Sequence, residues 1–184
     1  MWISLWGEAM SNTKRIVVSA VLVSLALAFS YVERFIPLQL LIPLPGIKLG
    51  LANIVTLVIL YLLKTRYAWI VMVCRCVLGA IFGGGITGLL FSLCGGILAL
   101  CTMAIARKQK WFSIYGVSIL GAAAHNIGQI VAAMVLMNSI FVGAYLPYLL
   151  LVSLVTGLIT GGICAGVLQV FPKAVAALPE NMCR

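Results

Sequence analysis

The sequence predicts an all-α integral membrane protein: a compact bundle of six transmembrane helices with both termini in the cytoplasm. Three observations predict it. The 184 residues are 64% hydrophobic and only 8% charged, with a mean hydropathy of +1.23, whereas soluble domains are about half apolar and about a quarter charged. The apolar residues fall into long runs separated by short loops, and a membrane-crossing helix needs roughly 20 of them. The basic residues gather in alternate loops, which sets orientation.

Taken in order, residues 1–13, "MWISLWGEAMSNT", are an amphipathic lead-in, with Met10 as an alternative start. Lys14 and Arg15 precede the first apolar run, Ile16 to about Val32. Ala26-Leu27-Ala28 has the small residues of a signal-peptide cleavage site. An uncleaved first helix fits better, because an even count of six then places the charged loops consistently. The remaining spans are 49–63, 67–86, 88–106, 112–137 and 147–171. With the N-terminus inside, Lys14, Arg15, Lys64, Arg66, Arg107, Lys108, Lys110 and Lys173 are all cytoplasmic, and Arg34 and Lys48 fall outside. Residues 14–173 therefore form a single membrane domain, and 174–184 a short cytoplasmic tail.

The charge balance is +9, from 12 lysines and arginines against 3 acidic residues. In a soluble protein that would suggest nucleic acid. Here the cations flank membrane spans, so membrane lipid is the partner and nucleic acid is not. Six cysteines occur, five of them inside apolar runs, where they pack as small hydrophobes. His125 is the one histidine, so no zinc-type spacing exists and no metal or cofactor is expected.

The missing chemistry is informative. The acidic residues are Glu8, Glu33 and Glu180, and the sequence contains no aspartate. Prenyl transfer from a diphosphate needs clustered carboxylates to hold Mg²⁺ on the leaving group. ATP hydrolysis needs a phosphate-binding loop with an acidic magnesium partner, and a hydrolase triad needs an acid to orient its histidine. None is present, so no catalytic residue is assigned.

Arg75, within "VCRCVLG", is the candidate that matters most. A charge at the bilayer centre costs about 3 kcal/mol on insertion scales, so it should face the bundle interior and have a partner. Glu33 at the outer end of the first helix, backbone carbonyls freed by the glycines after Gly79, and an anionic ligand are the three possibilities. The fifth span adds "AAAHNIGQI": His125 and Gln129 share a helical face, and Asn126 lies about 100° round. Each is also a candidate for hydrogen bonding between helices. Together with Arg75 they predict a polar pocket for an anion or a carbonyl-bearing ring. The loop "ERFIPLQLLIPLPGIKLGLANI" would lie over its mouth, with Lys48 and Asn53 near the entrance.

Small residues recur at four-residue spacing. Gly79 pairs with Gly83, and Gly157 with Gly161. Such spacing lets helices approach closely, either within the bundle or against a partner. "GAIFGGGITG" and "GLITGGICAG" also look alike on oppositely directed spans, a hint of an inverted repeat.

"PGIKLGLANIVTLVILYLL", "RCVLGAIFGGGITGLLFSLCGGILAL" and "GVSILGAAAHNIGQIVAAMVL" resemble bacterial membrane proteins labelled either heptaprenyl diphosphate synthase component I or Gx transporter. The resemblance runs from about Lys14 to Lys173. That family is similar in topology to the substrate-binding S components of energy-coupling-factor transporters. The resemblance implies an S-component-like fold in the bacterial cytoplasmic membrane. It implies ligand capture from outside and association with a transmembrane T component and two ATPases. The leading expectation is thus the substrate-binding component of a small-molecule transporter. The alternative is a non-catalytic membrane subunit, component I, assisting heptaprenyl diphosphate and menaquinone biosynthesis beside a soluble polyprenyl diphosphate synthase. A third role is a membrane subunit of extracytoplasmic electron transfer.

Overall fold

The computed structural model describes residues 12–35, 50–63 and 65–176. Among these residues every regular element is helical, and no strand occurs. Residues 1–11 of the lead-in, most of the proline-rich loop and the end of the tail lie outside the described residues, as does Lys48. Six α-helices follow in order: α1 (Asn12–Val32), α2 (Asn53–Leu62), α3 (Thr65–Gly79), α4 (Gly85–Lys108), α5 (Ile114–Met137) and α6 (Leu146–Ala176). A single 3₁₀ turn, Glu33–Phe35, follows α1, and another, Ile140–Tyr145, precedes α6.

Four apolar segments are long enough to cross a bilayer: Thr13–Val32, Thr65–Lys108, Ile114–Met137 and Ile140–Val170. The second of these, 44 residues long, folds back on itself. Ala80–Gly84 forms a π turn, Gly83 sits at φ 109° and Gly85 at φ 60°. A left-handed backbone of this kind suits glycine. As a result α4 returns along α3: a Cβ on Gly96 would lie 3.0 Å from the Met72 sulfur and 3.6 Å from Arg75 Nη2. The predicted break near residue 87 therefore falls several residues earlier.

The second predicted span, 49–63, is the larger departure. Its helix is only the ten residues of α2, which rise about 15 Å against a hydrocarbon core of about 30 Å. Gly50, at φ 82°, turns the chain, and Asn53 N–H donates to its carbonyl at 2.8 Å. The first residues of the run are spent in that turn. Every α2 residue except Tyr61 is buried, as expected for a helix that is apolar all round. The helix packs against the other five. Its last turn is held by Arg107 at the end of α4, which donates to the Leu60 carbonyl and lies 5.1 Å from the Tyr61 ring centre. That cation satisfies a carbonyl left over at a helix C-terminus.

The helices run alternately up and down around α2. The main core joins Ile54–Leu63 to Met72, Leu100, Met103, Val117 and Leu168, and a second cluster gathers Phe91, Ile130, Ala133 and Leu149. α5 packs chiefly on α4 and α6, whereas α1 touches α3 and α2 and buries little of its own surface. Outward-facing Ile16, Val21, Ile70, Val77, Ile105, Leu151 and Val155 are well exposed, as an apolar surround requires.

Candidate functional site

The site begins at Arg75. It lies on the inner face of α3 and is only 6% exposed. Its Nη2 donates to Asn53 Oδ1 at 2.9 Å, while Nε is buried with no hydrogen bond. The partner is thus a neutral amide at the first turn of α2, a choice the sequence left unnamed among its three possibilities. Glu33 is buried too, but its Oε1 accepts from Leu51 N–H at 2.6 Å. A carboxylate at the start of a helix is favoured by the helix dipole and unpaired N–H groups. The Gly50 turn and Glu33 together hold Asn53 under Arg75.

His125, 2% exposed, adjoins this pair from α5. A Cβ on Gly50 would lie 2.9 Å from Asn53 Nδ2 and 3.0 Å from His125 Cδ2. A Cβ on Gly95 would lie 2.7 Å from His125 Nδ1. Gly95 and Gly96 on α4 therefore separate the two polar groups, one glycine against His125 and the other against Met72 and Arg75. The sequence signal was the doublet in "SLCGGIL", which hydropathy alone does not distinguish from packing glycine.

Gln129 is fully buried, one turn beyond His125. Asn126 faces elsewhere: its Nδ2 donates to the Leu149 carbonyl at 2.9 Å, tying α5 to α6. The structure thus brings Arg75, Asn53 and His125 together and turns Asn126 away.

Among the glycines, Gly157 meets the backbone of Ile119 and Gly161 that of Tyr115, with built Cβ atoms at 2.6 and 3.1 Å from their Cα atoms. Ser118 and Thr160 share a 2.6 Å hydroxyl hydrogen bond in the same seam. Gly79 has only Leu27 Cδ2 nearby, at 3.9 Å, and Gly83 lies in the exposed π turn.

A cavity of about 480 Å³ opens between α1, α3 and α4. Arg75, Ser92, Tyr31, Leu27, Cys76 and Phe82 are among its walls, and none of its described lining comes from α5. The expected pocket joined Arg75 to His125, Asn126 and Gln129 with Asn53 near its entrance, and of these only Arg75 lines the observed cavity. Ser92 and Tyr31 were missed because nothing local in an apolar run marks which of its residues line a cavity. Among the described residues, no three His, Cys, Asp or Glu side chains could hold a metal ion.

A bundle of apolar helices around a buried polar cluster, with a cation at the floor of a cleft, defines a helical membrane protein. The chain belongs to the heptaprenyl diphosphate synthase component I family, whose model matches residues 22–167. Neither a curated protein nor a solved structure matches it. The expected likeness to transporter S components finds no support in these comparisons.

Proposed function

We propose that the protein is the non-catalytic, membrane-embedded component of a heptaprenyl diphosphate synthase system in the bacterial cytoplasmic membrane. What carries this reading is the family together with the acid content. A family named for one component of a synthase is represented here by a chain of 184 residues with three glutamates and no aspartate. Magnesium-assisted departure of diphosphate needs clustered carboxylates, so the transfer itself belongs to a partner.

Arg66, Lys108 and Lys110 are exposed at the end of the bundle where α2 and α4 finish, and Trp111 beside them is 93% exposed. Positive charge favours the cytoplasmic side for this end. On this reading both termini also face that side, where a soluble synthase would dock.

The test is purification from native membranes in mild detergent, comparing the natural chain with a Lys108→Glu/Lys110→Glu variant. A prenyl synthase should accompany the former and be depleted at least severalfold with the latter. Recovery of two ATPases and a transmembrane T component would instead establish the second reading, a substrate-binding component of a small-molecule transporter. The Arg75-walled cavity is the observation that favours that alternative.

A further inference from the structure

We propose that the cleft between α1, α3 and α4 is a binding site for a phosphate-headed amphiphile that enters from the bilayer, with Arg75 holding the head group. The site stands on its own geometry and does not rest on the synthase reading.

Three observations carry it. The first is charge. Arginine stays protonated in proteins, and a guanidinium in an apolar interior needs compensation. Arg75 is 6% exposed, donates to a neutral amide, and leaves Nε buried without a hydrogen bond. The second is space. The cavity it lines measures about 480 Å³, within the usual range for small-molecule sites of roughly 300–1,000 Å³. The third is the character and position of the walls. Ser92 and Tyr31 line the same cavity as Arg75, and Leu27, Cys76 and Phe82 make its walls largely apolar. The forked donors of a guanidinium suit the oxygens of a phosphate, and the apolar walls suit a hydrocarbon chain. α1 packs on α3 and α2 rather than on α4, so the cleft faces sideways, and Phe82, 68% exposed, stands at its rim. A tail leaving between α1 and α4 would remain in hydrocarbon.

Two sources have this chemistry: a prenyl diphosphate and an anionic phospholipid of the membrane. Detergent-purified full-length protein is titrated with farnesyl diphosphate in one arm and with phosphatidylglycerol in another, with phosphatidylcholine as the neutral control. One anionic arm should saturate and the neutral control should not. Arg75→Gln should weaken that arm roughly tenfold or more, the equivalent of losing one charge-assisted hydrogen-bonded contact. Arg75 also anchors Asn53, so a second variant avoids that bond. Ala28→Trp fills the cleft from an exposed position on α1 and should abolish binding while the melting temperature holds. Saturation by farnesyl diphosphate identifies the prenyl source, and saturation by phosphatidylglycerol the lipid source. No saturation in either anionic arm, or unchanged affinity in Ala28→Trp, overturns the site. Failure here leaves synthase co-purification untouched, so the two proposals stand or fall separately.

Discussion

The two flanks of α4 are built on opposite plans. Towards α5 the contact is closed by backbone: a Cβ on Gly128 would lie 2.6 Å from the Cys94 carbonyl oxygen and 2.8 Å from Gly95 Cα. α5 in turn meets α6 through Gly157, Gly161 and the Ser118–Thr160 and Asn126–Leu149 hydrogen bonds. Towards α1 the same residue type does nothing of the kind. Gly79 has one flexible leucine at its limit of contact, and the space beyond it is the Arg75 cavity. Helices in lipid have no hydrophobic force to drive them together and rely on close packing and polar bonds. The α4–α5–α6 side has both, whereas Gly79, towards α1, meets no second backbone. Small residues at four-residue spacing therefore announce a seam only where a second backbone arrives.

The contrast is breakable in a graded way. Gly128→Ala should do most damage, because all three nearest neighbours of the new methyl are backbone atoms that cannot rotate aside. A loss of about 3 kcal/mol, seen as a sharply lowered melting temperature in mild detergent, is expected; a natural melting point would refute the closed seam. Asn126→Leu removes one interhelical bond and keeps the volume. It should cost about 1 kcal/mol in denaturant titration, and no measurable cost would mean that the Leu149 contact is incidental. Gly79→Ala is the mild case. Its Cβ would make only an ordinary contact with Leu27 Cδ2, at 3.9 Å, so stability should stay within about 0.5 kcal/mol of the natural protein. A large loss would show that the α1 flank is as tight as the other.

Much of the architecture was legible in the sequence, because long apolar runs with short basic loops allow few solutions. α1, α4, α5 and α6 fall within a few residues of their predicted limits. The misreadings share one cause: hydropathy reports the solvent around a residue, not its backbone. Ile81 and Phe82 are apolar and exposed yet belong to a turn, so the third span was drawn too long. Leu51 and Ala52 are apolar yet belong to the turn before α2, so that helix was drawn too long as well. The site was half legible. Arg75 and His125 stand out as costly residues in an apolar chain. That Asn53 would be the partner of Arg75, and that Asn126 would turn to α6, depended on how the packed helices are rotated against one another, which no single run of sequence shows.

The shortness of α2 has a consequence for how the protein is made. A ten-residue apolar helix is about half the length that a bilayer holds on its own. It has no independent claim to the membrane during synthesis, and its retention depends on neighbours already in place. α1 and α3 flank it in sequence, and Arg107 on α4 caps its last turn. The helix at the centre of the molecule therefore depends on α1, α3 and α4 for its place in the bilayer, and the Arg75–Asn53 bond depends on that place.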